Sequence, residues 1–265
     1  MEYLDVLESR SIYIIREAYK KFERVAMLWS IGKDSTTLLW LCKKSFFGRI
    51  PFPVVYIDTG PHFQQMYDFR DECVKRRGLD LIVSKNEKAD ESGIGPQDKI
   101  KCCDARKTQA LKKTMDEHGF DALLLGIRRD EHGIRAKERV FSPRDRDFTW
   151  DYKNQPPELR DRHKTESESH EHLRVHPLLH WREVDIWRYI KREALPVNPL
   201  YFAEGGKRFR SLGCRTCTVP VESSAATVDE IIEEILTSKT AERSGRAQDK
   251  ERAYAMQKLR ALGYM

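Results

Sequence analysis

VAMLWSIGKDSTTLLWL, residues 25–41, decides the fold. The apolar run at 25–29 is too short for a buried helix and reads as a strand covered on both faces. STTLLWLCKKSF, 35–46, reads as a helix. SIGKDS, 30–35, lies between them as a turn. A turn in that position aims backbone N–H groups and the positive end of the helix dipole at an incoming ligand. Gly32 permits close backbone approach, Lys33 supplies a mobile cation, and Ser30 and Ser35 supply hydroxyl donors. The set suits a pyrophosphate. It is not the phosphate loop of kinases and GTPases, which needs GxxxxGK followed by Ser or Thr.

The same alternation continues outward. Leu4, Leu7, Ile14, Ile15, Ala18 and Phe22 sit at helical spacing over 3–22. PFPVVYID, 51–58, reads as a second strand closed by Thr59 and Gly60, residues 63–77 as a helix, and LDLIV, 79–83, as a third strand. Residues 84–103 read as loop, 104–118 as a helix with Asp104 as its N-cap, and DALLLG, 121–126, as a fourth strand. Such a chain is α/β, with a mostly parallel sheet, right-handed crossovers and helices on both faces. Ligands of such sheets bind at the carboxyl ends of the strands. Residues 30–35, 58–60 and 126–129 all follow strands and share that rim. Residues 127–172 are polar and without period, 173–179 read as a short strand, and 181–193 as a helix with Val184, Ile186, Trp187 and Ile190 inward. The nucleotide-binding domain is therefore expected over 1–193. Residues 194–265 are expected as a loop-rich and helical extension of the same domain, with a basic tail from 237.

The chain has 265 residues, a net charge of +6 and 34% charged residues, which suits a globular fold with an anionic ligand. No apolar stretch approaches the roughly 20 residues of a membrane span, and MEYLDVLESR lacks the basic-then-apolar order of a signal peptide. A cytoplasmic protein, off the membrane and homo-oligomeric, is expected. Six cysteines in such a chain are no disulfide framework. Cys42 and Cys73 fall in helical patterns and read as packing, whereas Cys102-Cys103 and Cys214-x-x-Cys217 form two pairs. His176 and His180 lie in or just after a core strand and read as structural.

SIGKDS resembles the SGGKDS loop of the N-type ATP pyrophosphatases, the adenine-nucleotide alpha-hydrolase-like fold. SIYIIREAYKKF, FPVVYIDTG, GFDALLLGIRRDE, RAKERVFSPRD, WDYKNQPPEL, NPLYFAE, RFRSLGC and AERSGR resemble the small catalytic subunit of bacterial sulfate adenylyltransferases, over nearly the whole chain. The resemblance implies adenylyl transfer from ATP to an oxyanion with release of pyrophosphate. It assigns Ser30, Gly32, Lys33, Asp34 and Ser35 to the β- and γ-phosphates. It places Asp58 and Gly60 near nucleotide and magnesium, adds Gly126, and lines the anionic side with Arg128, Arg129, Arg135, Lys137 and Arg139. Lys33, Asp34, Asp58, Arg128 and Arg129 would be the catalytic set. Cations and oriented N–H groups are what stabilise charge spreading from the α-phosphorus to pyrophosphate.

Two features depart from that resemblance. Only FAEGGKRF separates Tyr201 from Arg210, where the sulfate-activating subunits carry a longer segment that could serve their GTPase partner. The quartet Cys102, Cys103, Cys214 and Cys217 resembles the CC…CxxC ligands of a [4Fe–4S] cluster in assimilatory adenylylsulfate reductases. A four-cysteine zinc site, or no metal, is the alternative. Those reductases also need a nucleophilic cysteine near the C-terminus, and no cysteine follows Cys217, which excludes a reductase. The resemblance then extends to sulfur-insertion enzymes. The expected function is an ATP pyrophosphatase serving DNA phosphorothioation with a cysteine desulfurase. A sulfate adenylyltransferase with a GTPase subunit is the alternative, and a nucleotide-responsive assembly protein without turnover the third reading.

Overall fold

The computed structural model describes residues 2–153, 155, 158, 172–238, 242, 243 and 246. Helix α1 (Tyr3–Lys21) buries Leu7, Ile14, Ile15 and Ala18, the stripe that its spacing predicts. Strand β1 (Val25–Leu28) is buried along its whole length, as a strand with both faces covered must be. Helix α2 (Lys33–Ser45), strand β2 (Val54–Ile57), helix α3 (Gln64–Arg77) and strand β3 (Leu81–Ser84) follow. Two short helices, α4 (Glu87–Glu91) and α5 (Lys99–Cys103), occupy the stretch expected as loop. Helix α6 (Gln109–His118) and strand β4 (Ala122–Leu124) complete the first half.

Asp104 is not the N-cap. The helical path begins earlier, at α5, where the Asp98 side chain accepts from Lys101 N at 3.1 Å. It then runs through a π-helical turn, Asp104–Thr108, into α6. Asp104 has helical backbone angles (φ −63°, ψ −56°) and cannot cap.

After β4 come strand β5 (Phe141–Arg144), strand β6 (His172–Val175) and helix α7 (Glu183–Glu193). Strand β5 arises inside the polar stretch. Phe141 joins the apolar core, and the buried polar groups satisfy one another: Arg144 pairs with Glu138 at 3.1 Å, and Ser142 donates to Glu138 at 2.8 Å. The two-residue strands β7 (Lys207–Arg208) and β8 (Val221–Glu222) pair antiparallel. Helix α8 (Val228–Thr237) starts at a capping box between Thr227 and Glu230 and packs on α7. Tyr201, Ala225 and Ile231 join the same apolar core as the sheet.

The sheet order is β3-β2-β1-β4-β6-β5, parallel except for β5. The connections from β1 to β3 step one way across the sheet, and the return from β3 to β4 steps the other way. Right-handed crossovers therefore put α2 and α3 on one face and α6 on the other. The chain reverses direction between β1 and β4, the switch point where such sheets open a crevice at their carboxyl ends. No helix among the described residues is long and apolar enough to cross a membrane.

Candidate active site

The crevice at the switch point is a cleft lined by Ser30, Gly32, Lys33, Asp34 and Ser35 on one side and by Leu125, Gly126 and Ile127 on the other. Leu28, Val55, Ile57 and Met66 add apolar wall, the surface an adenine ring requires. The turn is braced locally. Ser35 Oγ donates to Gly32 O at 3.1 Å and lies 3.1 Å from Ser30 Oγ. Trp29 Nε1 donates to Thr36 Oγ1 at 3.1 Å, tying the strand end to α2. Lys33 N donates to the buried Tyr201 hydroxyl at 2.9 Å, so the C-terminal part reaches the loop directly. Gly126 is required for the close approach of the two walls: a Cβ there would stand 2.9 Å from Ser35 N and 3.0 Å from the Asp34 carbonyl carbon. Ile31 occupies the left-handed region (φ +63°) with its side chain fully buried. A β-branched residue there stores strain of about 1–2 kcal/mol.

The charges around the loop form one buried network. Lys33 is 2% exposed, and its Nζ pairs with Glu242, with Asp34 at 3.3 Å and with Glu183 at 4.0 Å. Arg128 is fully buried and pairs with Asp34, Glu242 and Asp130. Arg210 donates to Glu183 at 2.8 Å. Burial alone would raise the Glu242 carboxyl, but the charges of Arg128 and Lys33 outweigh it and hold the group well below the usual carboxylate range. Glu183 moves the other way, raised by burial and by the nearby charge of Glu242.

The structure brings Ser30, Gly32, Lys33, Asp34, Ser35, Gly126 and Arg135 to one cleft. Arg128 supports this wall from behind, inside the network. Arg129 is held by His180 at 2.9 Å and by Glu138 O at 3.2 Å, off the cleft lining. Arg139 also lies off it, and its carbonyl accepts from His176 at 2.7 Å. The side chain of Lys137 packs over the Tyr152 ring. Asp58 turns into its own loop, where Oδ1 accepts from Gly60 N at 2.8 Å and from Tyr67 at 3.0 Å. Gly60 lines a different cavity. Sequence reading missed Lys107, Glu131, Tyr201, Arg243 and Arg246 on the cleft, and Glu183 and Glu242 in the network. Tyr201, Glu131 and the set Glu242, Arg243 and Arg246 do stand in three quoted segments, NPLYFAE, GFDALLLGIRRDE and AERSGR.

The second cavity, of about 370 Å³, is lined by Cys102, Cys103, Cys214 and Cys217 together with Thr59, Gly60, Arg106 and Lys107. The two cysteine pairs, distant in sequence, meet there. Burial would raise the Cys214 thiol, but hydrogen bonding to His62, the charge of Lys107 and a bond to Thr59 at 3.0 Å lower it to about 6. Among the described residues, no three His, Cys, Asp or Glu side chains converge into a metal-binding group. Cys42 and Cys73 are buried in helices, as packing residues are.

The profile of the phosphoadenosine phosphosulfate reductase domain matches residues 24–220. The chain is 43% identical to sulfate adenylyltransferase subunit 2 of Marinomonas sp., an alignment covering 100% of this chain and 98% of that protein. It is also 43% identical to the same-named protein of Saccharophagus degradans, again over 100% and 98%. Both alignments run to more positions than this chain's 265, so those relatives carry segments that it lacks. The fold matches the phosphoadenylyl-sulfate reductase of Candida auris at a TM-score of 0.58 and 19% identity, over 83% of this chain and 97% of that one, a likeness of fold alone. The chain belongs to the phosphoadenosine phosphosulfate reductase domain family. It is an ATP-using enzyme of the adenylyltransferase and ATP pyrophosphatase type.

Proposed function

We propose that this member of the family adenylylates sulfate, as the small subunit of a sulfate adenylyltransferase working with a GTPase subunit. A sulfate oxygen attacks the α-phosphorus of ATP, the bond to the β-phosphate bridge breaks, and adenylylsulfate and pyrophosphate leave. The observation that carries this reading is identity of 43% along the full chain to proteins bearing that name. The cleft supports it: the loop at 30–35 would take the departing pyrophosphate, and the apolar wall the adenine. Gly126 would keep the walls at reacting distance. On this reading the acceptor is sulfate, where the sequence puts DNA first. Asp58 lies off the cleft lining with its Oδ1 taken by two donors, which leaves Oδ2 as the oxygen that would hold a magnesium ion. No step is assigned to it.

One observation favours the second reading, sulfur insertion into DNA with a cysteine desulfurase. The four cysteines share one cavity that borders the cleft at Lys107. Cys102, Cys103, Cys214 and Cys217 would hold a [4Fe–4S] cluster, or zinc, and a cluster would supply an iron site able to carry sulfide. Incubation with ATP and labelled sulfate, with and without the GTPase subunit, separates the readings. The sulfate reading expects sulfate-dependent pyrophosphate release and labelled adenylylsulfate. Stimulation by DNA and a desulfurase, with no response to sulfate, would replace it with the second reading.

A further inference from the structure

Helices α1 and α2 pack together, and Arg16 Nε of the first donates at 2.9 Å to Ser45 O at the end of the second. Helix α2 begins at the phosphate loop, so its far end stands about 20 Å away, at roughly 1.5 Å per residue. The turn that closes it holds Phe47 in the left-handed region (φ +54°), with the side chain 93% exposed. L residues avoid that region, and a phenylalanine left in water gains nothing that offsets it. Other rings lie beside the turn: Phe46 meets Tyr19 edge-on at 4.9 Å and Phe52 at 5.8 Å, and Tyr19 is 44% exposed. The surround is basic. The Arg16 guanidinium lies 5.5 Å from the centre of the Phe47 ring. Lys20 follows one turn along α1, and Lys43 and Arg49 flank the turn in sequence, with Glu17 as the acid on that end of α1.

Helix α8 has the opposite character. Val228, Ile232 and Ile235 pack on the core, which leaves Asp229, Glu233 and Leu236 on the outer face. Leu236 is 60% exposed. Asp229 pairs with the exposed Lys191, and Glu233 is open to solvent. The last turn carries no basic residue, so nothing within the helix compensates the negative end of its dipole. The last turns of α1 and α2, in contrast, carry Lys20 with Lys21 and Lys43 with Lys44.

We propose that the Phe47 surface of one copy of this chain seats on the outer face of α8 of a second copy. An aromatic anchor rimmed by cations fits an acidic helix end that offers an apolar side chain, and this chain carries both halves. Leu236 gives Phe47 its apolar seat, while Glu233 and the carbonyl end of α8 receive the cations around it. Pairing of Phe47 with the second copy's Phe47 is disfavoured, because it brings the same cations face to face. A contact between unlike surfaces is made twice in a twofold dimer, or once per copy in a ring or chain.

Sedimentation of the full chain at about 100 μM, enough to populate a contact of micromolar strength, tests this. The wild type is expected above monomer mass. Phe47→Ser, or the double change Glu233→Lys, Leu236→Ser, is expected to weaken association at least about tenfold. Salt at about 1 M, which cuts the screening length to roughly 3 Å, should weaken it as well. Val83→Ser removes another exposed apolar side chain and should leave association unchanged. A mixture is the sharpest arm: the Phe47 variant keeps its α8 face and the double variant keeps its Phe47 surface, so the two together should associate where neither does alone. Association untouched by these changes or by salt, lost equally in Val83→Ser, or not restored by mixing overturns the contact. A monomeric wild type overturns it too. Should Phe47→Ser then abolish binding of a GTPase subunit, that protein takes the second copy's place as the occupant.

Discussion

The nucleotide cleft and the cysteine-lined cavity meet at Lys107, yet they are assembled in opposite ways. The cleft's loop is six consecutive residues, 30–35, running from the end of β1 into the first turn of α2. Its charges interlock below the surface: Lys33 and Arg128 are shared among Asp34, Glu183 and Glu242. The cavity takes Cys102 and Cys103 from α5 and Cys214 and Cys217 from a loop far along the chain. Its four thiols line one cavity, and no metal-binding group forms among the described residues. One site is over-determined by its own framework, and the other leaves room for a ligand to organise it.

The contrast breaks most readily in stability. Arg128→Met leaves the half-buried Asp34 and the buried Glu242 with Lys33 as the one cation that both still share among the described residues. Urea unfolding should show a loss of about 3–5 kcal/mol. The double change Cys102→Ser, Cys217→Ser should cost far less and should spare ATP binding. Equal losses at the two sites would erase the distinction drawn here. In catalysis, Gly126→Ala should lower kcat/KM for ATP by about 10²-fold, because the new Cβ meets loop backbone rather than a movable side chain. An unchanged value would mean that the walls need not be so close.

Residues that act through near neighbours were legible in the sequence. Short buried strands and the turn with its serines are local patterns. Strand β5 was hidden because only Phe141 among its buried side chains is apolar, while Ser142 and Arg144 look solvated until matched with Glu138. Glu242 and Arg243 were hidden for the same reason: in a charged tail they look solvated until Lys33, Arg128 and Glu131 are brought to them. Arg128 was picked out as a substrate contact, but its place after β4 drives it into the wall behind the loop, with no exposed surface. The meeting of the two cysteine pairs was expected from their resemblance, and the crossover from β3 to β4 supplies the path.

Acid should dissolve the network before it touches the apolar core. The folded Glu242 carboxyl lies below its ordinary value of 4.5, so the unfolded chain binds more protons in that range and stability rises with pH. The contribution is complete above about 4.5 and is lost as pH falls toward the folded value. Glu242→Gln should therefore flatten the acid limb of a plot of Tm against pH. A limb as steep as that of the wild type would place the acid sensitivity elsewhere.

The smallest effect concerns Ile31. Replacing it by alanine keeps the left-handed strain and loses burial, whereas glycine loses slightly more burial but releases about 1–2 kcal/mol of strain. Ile31→Gly should be at least as stable as Ile31→Ala, the reverse of the usual order, in chemical denaturation. Alanine clearly ahead would show that the loop backbone is unstrained.

A cleft of this kind is expected to part ATP at the α–β bridge. Chromatography of products from ATP labelled at the α- or at the γ-phosphorus tests it directly. The γ label is expected in pyrophosphate and the α label in AMP or an adenylylated acceptor. An α label recovered in ADP, with the γ label in inorganic phosphate, would contradict it.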